Sequence, residues 1–130
     1  MKLEPLAEWL ERQGFGKRGR DIFVHHMPES AKRGILMTIP VFGQETYPDL
    51  PSLRRSRFQV IVRGYDYKNG LEKAHEIQNA LTWDERQETL NDEITIAHMF
   101  PRHDPIPFPS SKGDILEIAV TFDAAYFVCA

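Results

Sequence analysis

The stretch 57–81, RFQVIVRGYDYKNGLEKAHEIQNAL, constrains the fold more than any other part of the chain. Phe58, Val60 and Val62 alternate with Gln59, Ile61 and Arg63, the two-residue period of a strand with one face on a core. Leu71, Ala74, Ile77, Gln78 and Leu81 then recur at three- and four-residue spacing, the apolar stripe of an amphipathic helix. Between the two, Asp66 stands where an N-cap belongs, its carboxylate placed to accept from free N–H groups of the first turn. Gly64 allows the turn at the corner, while Gly70 weakens the helix by roughly 1 kcal/mol relative to Ala. The rest of the chain must be arranged around this strand, corner and helix.

Upstream, residues 3–13 read as a short helix, with Leu3, Leu6, Trp9 (or Ala7) and Leu10 on one side and Glu4, Glu8, Glu11 and Arg12 on the other. Pro5 is tolerated because it falls in the first turn, where its missing N–H would be unpaired anyway. Gly14 and Gly16 end the helix. The basic segment 16–20, GKRGR, lacks the order and the Lys-Ser/Thr ending of a phosphate loop and reads as a solvated turn. Residues 21–27 and 34–40 read as two strands joined by 28–33 into an antiparallel hairpin. Both are apolar at nearly every position, which places them centrally in the sheet.

Residues 41–56, punctuated by Gly43, Pro48 and Pro51, read as a loop whose length points to a surface working on a partner. Downstream of the helix, residues 82–91 are open between a helical turn and a connection. Residues 93–100 form a strand, with Ile94, Ile96 and His98 facing one way and Thr95, Ala97 and Met99 the other. Residues 101–113, with Pro101, Pro105, Pro107 and Pro109, read as a stiff extended loop. In the last strand, 114–127, Leu116, Ile118, Val120 and Phe122 point inward and Glu117, Ala119, Thr121 and Asp123 outward. The apolar end, 124–130, implies docking on the core or on another subunit. The sum is an α+β two-layer sandwich. Its antiparallel or mixed sheet has about five strands, with two helices on one face, in the order α-β-β-β-α-β-β.

The length of 130 residues suits one domain, 1–130. A hydrophobic share of 42% and a charged share of 27% are those of an ordinary globular protein. A net charge of −3 gives no global field to attract nucleic acid or an anionic membrane. No run of 18 apolar residues and no basic-then-apolar leader is present, so the sequence reads as soluble, with no membrane partner. The single cysteine, Cys129, excludes an intrachain disulfide and a thiolate-rich zinc site.

No catalytic residue, metal-ligand set or cofactor site emerges. His25 and His26 point to opposite faces of a strand, His98 lies elsewhere, and His103-Asp104 sits in a proline-rich segment poorly suited to preorganised ligands. Glu85, Glu88, Asp92 and Glu93 read as a solvated acidic face. Two basic clusters remain, Lys17, Arg18 and Arg20, and Arg54, Arg55 and Arg57. Neither carries interleaved aromatics or a helix-turn-helix or zinc-finger signature, which argues against specific nucleic-acid binding. In a homo-oligomer such arginines suit acidic patches on a neighbour, such as 85–93, because a guanidinium can hold a carboxylate bidentately.

Arg63-Gly64-Tyr65-Asp66-Tyr67 ends a strand in Arg and opens a helix, rich in Ala, Ile and Leu, with an Asp-Tyr pair. This corner resembles the tail terminator proteins of tailed bacteriophages, also called tail-completion or minor capsid proteins. Gly43, then Tyr47-Pro48-Asp49-Leu50 and Arg55, resemble the loop leading into the same strand of that family. The resemblance covers 35–81 well and the C-terminal strands loosely. It implies the same order of elements and a homo-oligomeric ring, typically a hexamer, at the head-proximal end of the tail tube. Such a ring stops tube polymerisation and joins the tail to the head connector. The implied partners are further copies, the tail tube protein and the connector or neck protein, with DNA passing through the ring. The implied place is the tail–neck junction of the virion, after synthesis in the host cytoplasm, with no enzymatic role and no cofactor. The candidate interface residues are Tyr47, Leu50, Arg54, Arg55, Arg57, Arg63, Asp66 and Tyr67. The alternatives are a head–tail connector or neck protein and, from a different class, a small nucleic-acid-binding accessory protein or an enzyme.

Overall fold

Two long strands, β4 (Leu50–Arg63) and β8 (Leu116–Val128), run antiparallel in unbroken register from Leu53↔Phe127 to Arg63↔Glu117. They form the axis of the molecule. The computed structural model describes residues 3–28, 30–39, 45–47, 50–83, 88–90, 94–109 and 116–128. The remaining elements are α1 (Glu4–Arg12), β1 (Ile22–Val24), β2 (Gly34–Thr38), β3 (Glu45–Tyr47), α2 (Tyr67–Ala80), β5 (Glu88–Leu90), β6 (Ile94–Pro101) and β7 (Ile106–Pro109). The sheet follows the path β1-β2-β4-β8-β6-β5, with β3 added beside β4 and β7 beside β8. Because β8 fills one edge of β4, β2 and β3 share the other edge, end to end. In the same way β6 and β7 share the outer edge of β8. Set the short β3, β5 and β7 aside, and the α-β-β-β-α-β-β order expected from the sequence is what stands.

Alternation along β4 and β8 decides which residues meet the helices. Phe58, Val60 and Val62 lie opposite Phe122, Val120 and Ile118, and all are buried. The Phe58 and Phe122 rings stack with centroids 5.2 Å apart, a contact worth about 0.5–1.5 kcal/mol beyond the area buried. Ile35 and Met37 of β2 and Ile94, Ile96 and Met99 of β6 widen this apolar floor. The helices close it with Leu3, Leu6 and Leu10 from α1 and Ala74, Ile77 and Leu81 from α2. Trp9 of α1 meets Trp83 edge-to-face at 4.9 Å. Trp83 in turn exchanges backbone hydrogen bonds with Met99, at 2.7 and 2.9 Å. The α1 helix touches β1 and β5, the two ends of the sheet, so the sheet curves around its helices.

The corner is built as its residues require. Asp66 is extended (ψ 168°) and its carboxylate accepts from Asn69 N–H at 3.3 Å, capping α2. Gly64 has φ 87°, and a Cβ there would collide with the Lys32 carbonyl and Arg33 Cα. Gly70 has a purpose that helix propensity conceals. It is buried against β8, and a Cβ there would stand 2.9 Å from Ile118 Cδ1 and 3.2 Å from Tyr65 Cβ.

Several expectations need correction. β1 and β2 are parallel, not a hairpin, and β1 ends the sheet rather than lying centrally. Alternation fixes the face a residue takes but not the direction of its strand. The chain leaves β1 at His25, in the left-handed region (φ 66°), and turns again from Pro28 to Ala31. It re-enters beside the start of β1, where Ile35 N–H donates to the Asp21 carbonyl at 2.8 Å. The apolar composition of β1 is explained by α1 packing against it.

Segment 41–56 is not a loop throughout, since 45–47 pairs as β3 and β4 already begins at Leu50. Segment 101–113 holds β7, whose prolines are tolerated on an edge where no ladder N–H is needed. Segment 82–91 supplies β5, and in β6 a bulge between Ile96 and His98 turns Met99, not His98, inward. Ala119 and Asp123 do lie on the outward side of β8, yet both are buried there. Of the apolar end, Ala124 to Tyr126 are buried within β8, while 129–130, including Cys129, lie outside the described residues.

Substituting Gly64→Ala should lower stability by about 2 kcal/mol or more, because it adds left-handed strain to a backbone clash. A urea melt with an unchanged slope and a reduced midpoint is the expected result.

Candidate interaction face

One face of the β4–β8 ribbon meets the helices and the other does not. The second face presents Leu53, Arg55, Arg57, Gln59, Ile61 and Arg63 opposite Phe127, Ala125, Asp123, Thr121, Ala119 and Glu117. Its charged residues are organised around one carboxylate. Asp123 is 3% exposed, and its Oδ1 accepts from Arg57 Nε at 3.2 Å. Its Oδ2 accepts from Arg102 Nη1 at 2.7 Å. Arg102 is brought in by the interruption between β6 and β7, where its own N–H donates to the Thr121 carbonyl. Both guanidiniums stay about two-fifths exposed, at 41% and 39%. A buried carboxylate thus holds two half-hydrated arginines in fixed positions.

Beside this cluster, β6 places His98 opposite Ala125 and Phe100 opposite Asp123. Their rings stack, with centroids 5.7 Å apart. Phe100, Phe127 and Ile106, which lies opposite Ala119, are the large apolar side chains exposed here. Further along, Arg63 Nε donates to Glu117 Oε2 at 3.0 Å, and Arg63 Nη1 to the Ala31 carbonyl at 3.5 Å. That pair is largely buried, so it ties the end of β4 to β8 and to the segment before β2.

The sequence-chosen residues do not all converge. Arg55, Arg57 and Arg63 share the helix-free face, whereas Arg54 lies opposite Tyr126 and shares the other one. Burial pushes the Tyr126 phenol above its usual range, and the Arg54 charge pulls it part of the way back. Asp66 and Tyr67 stand at the start of α2, with Tyr67 59% exposed. Tyr47 of β3 and Leu50 of β4 are paired in the ladder, and only their backbone is described.

The other basic cluster is largely neutralised by nearby acids. Arg18 lies within ion-pair reach of Glu11 (3.7 Å) and Glu8 (4.0 Å), and Arg20 of Asp21 (3.6 Å). The candidate residues left out Asp123, Arg102, His98, Phe100, Ile106 and Phe127, although the period does set Asp123 on the outward side of β8. One signal was legible, an aspartate set within the mostly apolar run from Ile118 to Val128. Among the described residues no three or more His, Cys, Asp and Glu side chains gather to hold a metal ion. No helix among them is long and apolar enough to cross a membrane.

A family model described as bacteriophage tail terminator protein matches residues 9–126. No curated protein matches the chain. One solved structure aligns over 98% of this chain and 90% of its own at 15% identity, with a TM-score of 0.48.

Asp123→Ala should cost about 2 kcal/mol or more, since it removes the one carboxylate that two guanidiniums share. Arg102→Ala, at a half-exposed position, should cost about 1 kcal/mol or less. Equal losses in thermal melts of the two variants would contradict the central place given to Asp123.

Proposed function

The chain belongs to the bacteriophage tail terminator proteins, and on that premise we propose that it caps the head-proximal end of a tail tube. The family assigns it to the tail, and so to the virion, in a structural role. The reading extends that role to a ring of identical subunits, most simply a hexamer, that halts addition of tube protein and joins the tail to the head connector. DNA passes through the opening of the ring. Such work is done by binding alone, and it asks for a stiff subunit with several separate contact surfaces.

The observation that carries the reading is the extent of the family match, which runs from within α1 to near the end of β8. The geometry is compatible with what a ring subunit needs. The β4–β8 ladder supplies stiffness, and the helix-free face supplies fixed arginines beside exposed Phe100 and Phe127. Aromatic and arginine side chains are the usual anchors of protein interfaces, each worth about 2 kcal/mol or more when buried at the centre. Tyr67, exposed at the start of α2, offers a further surface toward tube or neck, and Tyr47 and Leu50 belong to the same proposal.

Complementation tests the assignment. A phage lacking its own terminator gene should make overlong, headless tails, and this protein supplied in trans should restore normal length and attached heads. Restored head attachment on tails that remain overlong would favour a neck protein instead. No change in either would remove the chain from tail completion.

A further inference from the structure

We infer that the sheet is built to refuse strand pairing with a second copy, with Pro101, Pro107 and Pro109 guarding the edge formed by β6 and β7. Such a guard belongs to the subunit itself, whatever it assembles into. A sheet edge offers unpaired N–H and C=O groups, and a matching edge on another copy is their readiest partner. The outcome depends on which backbone groups each outer strand turns outward.

Two hydrogen bonds fix that alternation along β8. The Leu116 carbonyl accepts from Gly64 N–H, so the even residues of β8 bond toward β4. The Thr121 carbonyl accepts from Arg102 N–H, so the odd residues bond toward β6 and β7. Ile106 and Phe108, paired with Ala119 and Glu117, therefore bond to β8, and Pro107 and Pro109 turn outward. In β6, Phe100 pairs with Asp123, which leaves Met99 and Pro101 as the outward residues on either side of it. Met99 exchanges both of its backbone hydrogen bonds with Trp83. From Met99 to Pro109, each outward strand position is thus either paired within the subunit or a proline with no N–H to give. β7 pairs with no described strand but β8, and it is exposed at Ile106 and Pro107.

The other outer strands are closed by different means. In β1, His25 N–H donates to the Met37 carbonyl, and the Asp21 carbonyl accepts from Ile35 N–H. The odd residues there face β2, so Ile22 and Val24 face outward. Ile22 donates to the Lys17 carbonyl and accepts from Gly19 N–H, both in the segment just before it. The Val24 carbonyl accepts from His26 N–H at 2.8 Å, closing a three-residue turn around His25, whose φ is 66°. The left-handed histidine thereby covers a carbonyl that another strand would use. β3 and β5 are three residues long, and very short edge strands make poor templates. Short length, local bonding and outward proline are three separate means to one result.

Restoring the missing donors tests the guard in the full chain. Pro107→Thr with Pro109→Thr adds two outward N–H groups without adding apolar surface. In sedimentation velocity this protein should form larger species than the unaltered one. It should do so at concentrations at least about tenfold lower, the order expected of hydrogen bonds restored along an edge. Pro107→Thr alone carries the same test if the double change lowers the melting temperature. Pro105→Thr, just before β7, is the control and should leave association unchanged. In dilute protein, hydrogen exchange should find the amide introduced by Pro107→Thr unprotected and that of Phe108 protected. Unchanged association on restoring the donors, equal association of the Pro105→Thr protein, or a protected amide at 107 in dilute protein overturns the guard.

Discussion

The register of β4 against β8 is the constraint on which everything else depends. Eleven consecutive residue pairs leave no freedom to slip, because a shift of one residue would exchange the two faces of the ribbon. With that register set, Phe58, Val60 and Val62 must meet the helices, and Arg55, Arg57 and Arg63 must turn away from them. The apolar core and the charged outer face are two results of one alternation. Asp123 and Glu117 fall opposite Arg57 and Arg63 for the same reason. Arg57 and Arg63 thereby each gain a carboxylate from the adjacent strand, while Arg55 faces Ala125.

The outer strands are organised by interruption. β2 and β3 run along one edge of the ribbon and β6 and β7 along the other, each pair broken near its middle. The break between β6 and β7 is where Arg102 reaches Asp123. The bulge at Ala97 and His98 turns His98 onto the outer face, where it stacks on Phe100. An uninterrupted strand would place neither side chain there. Irregularities in the ladder thus assemble the surface that a partner would meet, while the regular part fixes where it stands.

How much was legible in the sequence follows from the range of the interactions. The corner was fully legible, because Asp66 caps a helix three residues away and Gly64 acts within its own turn. Both helices, β8 and the second half of β4 were legible with their inner faces from period alone, whereas 50–56 read as loop. Direction was not, and the parallel pairing of β1 with β2 depends on His25 adopting a left-handed backbone that histidine does not advertise. The short strands β3, β5 and β7 were hidden because three or four residues carry no usable period and β7 carries prolines. The outer-face cluster was hidden by separation along the chain, with Arg57 and Asp123 66 residues apart and Arg102 21 residues from the same carboxylate. Of the candidate arginines, the split between Arg54 and Arg55 followed once 50–56 was recognised as strand.

The meeting of Trp9 with Trp83 reaches beyond packing. These are the only two tryptophans in the chain, and both are buried in one edge-to-face contact between α1 and the segment linking α2 to β6. Indole emission therefore comes from a single place on the inner side of the sheet, and burial there removes it from solvent whether or not the outer face is occupied. The protein carries an optical reporter of its own fold that is physically separated from the surface of its associations. Loss of the helix layer and loss of a partner would accordingly leave different spectral traces in the same sample.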